Sequence, residues 1–100
     1  MDKREAVRIP VRVRAQCRTS TAVVDGFVED VSKSGVFLRV ACPETDEGET
    51  AEIDLELPGE EPLRLEARVV RVDDTGIALR FAERSRELAN FIMRQHQSRS

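Results

Sequence analysis

From Arg8 to Arg18 polar and apolar residues alternate without a break. Ile9, Val11, Val13, Ala15 and Cys17 share one face, and Arg8, Pro10, Arg12, Arg14, Gln16 and Arg18 the other. A period of two with β-branched residues fits a strand that is buried on one side and wet on the other; a helix would scatter the same residues around its axis. Pro10 has no N–H to give a ladder, so it marks the beginning of a strand or an edge.

The same period recurs along the chain. A second strand is expected over Val23 to Val31, with a bulge or bend at Asp25-Gly26. Val36, Leu38 and Val40 alternate with Phe37 and Arg39, and Ala51, Ile53, Leu55 and Leu57 alternate with Glu52, Asp54 and Glu56. Leu63, Leu65, Ala67 and Val69 begin a fifth strand, whose apolar phase changes sides at Val69-Val70-Arg71-Val72, as a bulge or barrel corner requires. Ile77, Leu79 and Phe81 mark a sixth. Turn signals punctuate the series at Thr19-Ser20-Thr21, Pro58-Gly59 and Asp73-Asp74-Thr75-Gly76. After Phe81 the period changes: Leu88, Phe91 and Ile92 have helical spacing, Ser85 can cap the start, and the polar tail from Gln95 is expected to fray.

The expected fold is all-β: a six-stranded antiparallel β-barrel or sandwich over residues 8–82 with a C-terminal α-helix over 83–97. A chain of 100 residues without repeats, low-complexity stretches or linkers forms one domain. So small a barrel fills its interior with side chains, which leaves the rim or the outer face for ligands.

Several function classes are disfavoured. No apolar run approaches the roughly 18–20 residues of a membrane span, and the first five residues lead into no apolar secretory segment, so the expectation is a cytoplasmic chain without membrane insertion. Cys17 and Cys42 stand far apart and are expected to be buried small hydrophobes rather than a disulfide or, with only His96 to join them, a zinc site. No serine or cysteine has a base partner in sequence and no glycine-rich loop joins a strand to a helix, so no catalytic residue, cofactor or metal is expected and the chain is not read as an enzyme. Four Phe with no Trp or Tyr give no stacking platform for nucleic acid, and the net charge is −3.

That charge is unevenly spread. Residues 1–18 hold six basic and two acidic side chains, whereas residues 44–61 hold nine acidic and no basic ones. Two patterns stand out. Arg4-x-x-x-Arg8, with Lys3 beside it, precedes the first strand; guanidinium groups bind phosphate bidentately, bind guanine O6 and N7, and stack on purine faces. Asp30-x-Ser32-x-x-Gly35 joins the second and third strands. Taken alone, the first can be two solvated arginines and the second a serine or Asx turn.

In this order and setting the two patterns resemble the PilZ domain, a family of bacterial receptors for cyclic di-GMP. The likeness covers nearly the whole chain. Arg8-Ile9-Pro10-Val11 is similar to the start of the family's first strand, and Asp30-Val31-Ser32-Lys33-Ser34-Gly35-Val36-Phe37-Leu38 to its signature loop and the strand that follows. Leu65 to Val72 and Gly76-Ile77-Ala78-Leu79-Arg80-Phe81 resemble its late strands, and Leu88 to Ile92 its helix. The resemblance implies a single free-standing domain that binds cyclic di-GMP through Lys3, Arg4, Arg8, Asp30, Ser32 and Gly35 and signals to a protein partner in motility, surface or biofilm control. Asp30 would accept the guanine N1–H and N2–H donors, Ser32 would donate and accept, and Gly35 would permit positive φ or a close approach of the base. Residues 1–7 would be a mobile arm that closes over the nucleotide. Lys3 stands where many members carry a second arginine, so one or two bound nucleotides both remain open. The competing reading is a PilZ-fold interaction module in pilus or motility function that binds no nucleotide.

Overall fold

The computed structural model describes residues 9–98. Six strands, β1 (Ile9–Arg18), β2 (Val23–Val31), β3 (Gly35–Arg39), β4 (Thr50–Leu55), β5 (Leu63–Asp73) and β6 (Gly76–Phe81), precede one helix, α1 (Arg86–Ser98). They close a barrel in the order β1-β2-β3-β6-β5-β4, with every neighbouring pair antiparallel. Lys3, Arg4 and Arg8, and the expected arm over residues 1–7, lie outside the described residues.

The alternation decides which side chains fill the barrel. Val13, Ala15 and Cys17 of β1 meet Val28, Val31, Leu38, Ile53, Leu55, Val69, Ile77 and Leu79 in one core. Leu88, Phe91 and Ile92, one stripe of α1, are buried in the same cluster. Ser85 caps the helix as its sequence position suggests, its Oγ accepting the Leu88 N–H at 3.1 Å. An ion pair between Arg94 and Glu60 ties the helix to the β4–β5 turn. The helix starts at Arg86 and continues to Ser98, so Gln95–Ser98 are helical rather than frayed. Among the described residues no helix is long and apolar enough to cross a membrane.

The phase change in β5 is a bulge: its register against β6 shifts between Val69 and Arg71, leaving Val70 46 % exposed. The break expected at Asp25-Gly26 is absent. Gln16↔Asp25 and Ala15↔Gly26 continue the β1–β2 ladder, and the irregularities of β2 fall elsewhere, opposite Pro10–Val13 and between Val28 and Val31. Gly26 serves a close strand crossing instead, because a Cβ there would stand 2.3 Å from the Arg39 carbonyl oxygen. Cys17 is buried, and burial pushes its thiol pKa up, but Cys42 is exposed at φ +47°. The alternation of β3 ends at Arg39, so Cys42 sits in the irregular chain beyond it. Both cysteines are free.

Candidate functional site

The loop between β2 and β3 is built around one side chain. Ser32 has no exposed surface. Its Oγ accepts the backbone N–H groups of Ser34 and Gly35, each at 3.2 Å, and lies 3.3 Å from the Gly35 carbonyl oxygen and 3.1 Å from Ser34 Oγ. The Ser32 N–H donates to the same Gly35 carbonyl at 3.0 Å. A serine here satisfies amides that a tight turn would otherwise leave unpaired. Its hydroxyl therefore shapes the loop, while Lys33 and Ser34 stand exposed at the tip.

Gly35 has a similar internal reason. Its φ is not positive, and a Cβ would lie 2.3 Å from the Leu79 carbonyl oxygen of β6. The glycine lets β3 and β6 approach, and the Phe81 N–H fastens the loop to β6 by donating to the Ser34 carbonyl at 2.9 Å. Asp30 is half-buried and lies on the other flank, where the register pairs Pro10 with Asp30 and Ile9 with Val31. The start of β1 thus runs beside the loop. The chain segment that carries Arg4-x-x-x-Arg8 joins the barrel at this point, although those residues themselves are outside the described range.

On the β6 side the pairing introduces two residues that the sequence reading did not single out. Arg80 pairs with Gly35 in one direction and with Arg68 of β5 in the other. Both arginines are exposed. Arg68 donates to the Gly48 carbonyl at 3.2 Å, and among the described residues neither guanidinium has a carboxylate within ion-pair distance. Like charges directly opposite on a sheet are unfavourable, and an anion between them would remove the repulsion. Only the strand register reveals this pair, since twelve positions separate the two residues in the chain.

A second concavity lies away from this loop: an open groove of about 550 Å³ between Arg14, Gln16, Asp25, Phe27, Asp54 and Glu56. Its charges are largely engaged. Arg14 stands over the Phe27 ring at 5.6 Å, Asp25 accepts from Gln16 at 3.0 Å, and Asp54 accepts from Arg64 Nε at 2.9 Å and Arg18 Nη1 at 3.0 Å. Those arginines hold the Asp54 carboxyl below the usual carboxylate range. The β2–β3 loop, with Lys33 and Ser34 exposed at its tip, a carboxylate on one flank and two facing guanidiniums on the other, is the better recognition surface for a ligand that is anionic and also carries N–H donors.

No curated protein matches the chain by sequence. By structure, it is similar to the motility inhibitor MotI/DgrA of Bacillus subtilis (TM-score 0.78, 19 % identity), aligning over 100 % of this chain and 55 % of that one, so it spans about half that protein's length. It is similar to the PilZ domain of YcgR from Escherichia coli, determined with c-di-GMP (TM-score 0.72, 17 % identity, 97 % of this chain and 91 % of that one). It is also similar to the PilZ domain of CeSA from a cellulose-synthesizing bacterium (TM-score 0.70, 22 % identity, 89 % of this chain and 93 % of that one). At these identities the structural likeness speaks for the fold. The sequence speaks for the family, because the PilZ domain model matches residues 2–94 and so spans both the Arg-x-x-x-Arg segment and the Asp30 loop. A closed six-stranded barrel with a helix packed against its core, carrying that loop beside the start of its first strand, belongs to the PilZ domain family.

Proposed function

We propose that the chain is a cyclic di-GMP receptor that works as a cytoplasmic adaptor, with no catalytic step and no cofactor of its own. The observation that carries the reading is the β1–β2 register: Ile9↔Val31 and Pro10↔Asp30 bring the attachment point of Arg4-x-x-x-Arg8 alongside the Asp30-x-Ser32-x-x-Gly35 loop. The similarity to YcgR's PilZ domain, determined with c-di-GMP, supports the ligand, and the similarity to MotI/DgrA, an inhibitor of motility, supports the process.

In this reading Arg4 and Arg8 take the phosphates, the O6 and N7 edge and the purine faces, with Lys3 adding charge. Asp30 accepts from guanine N1–H and N2–H. Ser32 and Gly35 act chiefly by holding the loop in shape, because the serine hydroxyl is buried in the turn and the glycine is needed against Leu79. Arg80 and Arg68 offer a further place for phosphate. Nucleotide binding is the signal that a partner protein reads in motility, surface or biofilm control.

Titration calorimetry with cyclic di-GMP and with cyclic di-AMP tests the reading. Adenine lacks the O6 acceptor and the N1–H donor, and each spoiled contact is worth about 1–3 kcal/mol. Cyclic di-GMP is expected to bind at least tenfold more tightly, with a stoichiometry that counts the bound nucleotides. Equal affinity for the two would overturn the proposed base contacts, and no binding of either would favour an interaction module that does not use nucleotide.

A further inference from the structure

Strand β2 is nine residues long, yet only its second half has a neighbour on the β3 side. Pairing with β3 begins at Phe27↔Arg39. Beyond Arg39 no residue is in register with β2; the Val40 N–H donates to the Thr75 carbonyl at 3.1 Å, in step with Arg39↔Gly76, and the Cys42 N–H to the Asp74 carbonyl at 2.9 Å. Residues 23–26 therefore pair with β1 alone.

Which of their backbone groups face outward follows from ladder alternation. At the β1–β2 turn the Thr19 N–H donates to the Ala22 carbonyl at 2.9 Å, and further along β1 the Arg14 carbonyl is used on the β4 side, accepting the Glu56 N–H at 3.0 Å. Antiparallel ladders alternate hydrogen-bonded and non-hydrogen-bonded pairs. Both contacts require Arg18↔Val23, Gln16↔Asp25 and Arg14↔Phe27 to be the non-hydrogen-bonded ones. Val23 and Asp25 thus direct N–H and C=O away from β1, into the side that β3 has vacated. Such a row is a template for another extended chain, and this stretch has neither the lysine nor the proline that commonly blunts an edge. Its outer face carries Val23, 62 % exposed, and Asp25, whose carboxylate accepts from the Gln16 amide and has no Lys or Arg within ion-pair distance among the described residues.

We propose that this edge docks an extended segment of a partner protein, which adds an antiparallel strand beside Val23–Asp25 and sets a β-branched or aromatic residue opposite Val23 and a lysine or arginine opposite Asp25. The side chains follow from cross-strand pairing, where apolar and opposite-charge pairs are favoured. A second copy of this chain fits poorly. The symmetric pairing that sets Val24 opposite Val24 sets valine opposite aspartate on both sides, an apolar–charged pairing with nothing to neutralise Asp25. Val23 lies seven residues from Asp30 along β2, about 23 Å of strand, so the docked segment leaves the β2–β3 loop free. The proposal does not depend on nucleotide binding.

Amide hydrogen exchange and NMR titration with blocked synthetic peptides test it. In the free protein the Val23 and Asp25 amides are expected to exchange fast and those of Val24 and Gly26 slowly. The peptide Thr-Lys-Thr-Val-Thr should slow the first two amides, and Thr-Glu-Thr-Val-Thr should bind at least about threefold more weakly, the difference between a favourable and an unfavourable cross-strand charge pair. Asp25→Lys should reverse that preference. Val23→Pro removes an N–H that no barrel bond uses, and should abolish peptide binding while leaving the rest of the spectrum unchanged. Equal binding of the two peptides, peptide-induced shifts centred elsewhere, or undiminished binding by Val23→Pro would overturn the proposal. Slowing of the two amides with rising protein concentration, without peptide, would instead assign the edge to a second copy and overturn the partner.

Discussion

Arg80 stands directly opposite Arg68 across the β5–β6 ladder, one strand away from Gly35 of the β2–β3 loop. Two exposed guanidiniums in that relation repel one another in the free protein and attract a phosphate together.

Arg80→Ala should therefore leave the ligand-free barrel as stable as before or slightly more stable, while weakening cyclic di-GMP binding by roughly threefold to tenfold, on the order of 1 kcal/mol. Added salt should narrow the stability difference by screening the repulsion. Thermal melts at low and high salt, with a binding titration alongside, check both arms. A variant that is much less stable at both salt concentrations would mean that Arg80 supports the sheet.

Ser32→Ala leaves the Ser34 and Gly35 amides without their acceptor inside a buried turn. The expected loss is about 1–3 kcal/mol of folding stability, with weaker nucleotide binding following from a loosened loop. Urea denaturation separates the two effects. Unchanged stability with binding lost would make the hydroxyl a direct ligand contact.

Arg8→Ala should weaken cyclic di-GMP binding at least tenfold, since a charge-assisted hydrogen bond is worth roughly 1.5–3 kcal/mol. Arg14→Ala should matter less, because Arg14 lies over the Phe27 ring and lines the groove with Gln16 and Asp25, away from the Asp30 loop. Calorimetry on the two variants decides; a larger loss at Arg14 would move the site along β1.

The fold was legible in the sequence because period two reports which face of each strand is buried, and that depends only on local spacing. Even the β5 bulge announced itself, since the phase change at Val69–Val72 is the one-residue slip that appears against β6. Gly26 was misread for a physical reason: glycine marks both turns and close strand crossings, and only the Arg39 carbonyl tells them apart. Cys42 looked like a core residue because a side chain's burial beyond the last strand residue depends on where the chain turns. At the site, spacing singled out Asp30-x-Ser32-x-x-Gly35 and the resemblance to PilZ domains implied a ligand role for it, but neither foretold that Ser32 and Gly35 shape the loop, which rests on bonds and close approaches inside the fold. The opposition of Arg80 and Arg68 has no signature in the chain, because it is created by which strands pair and in what register.

Asp54 accepts hydrogen bonds from Arg64 and Arg18, and these hold its carboxyl below the ordinary value near 3.8. A carboxyl whose folded pKa is lowered contributes stability that is fully present above the unfolded pKa and is lost as pH falls through the folded one. At pH 7 the contribution is present; on acidification it fades from the ordinary carboxylate range downward. The Asp54 side chain is 26 % exposed, so solvent limits its size. Asp54→Asn keeps an acceptor oxygen but not the charge. It should be less stable than the parent chain at pH 7, and the difference should shrink as the pH falls below the ordinary carboxylate range and the parent's carboxyl is protonated. Chemical denaturation of the two proteins across that range measures the difference directly. A gap that stays constant down to strong acid would show that packing and hydrogen bonding, rather than the ionised carboxylate, are what Asp54 contributes at the β1–β4–β5 surface.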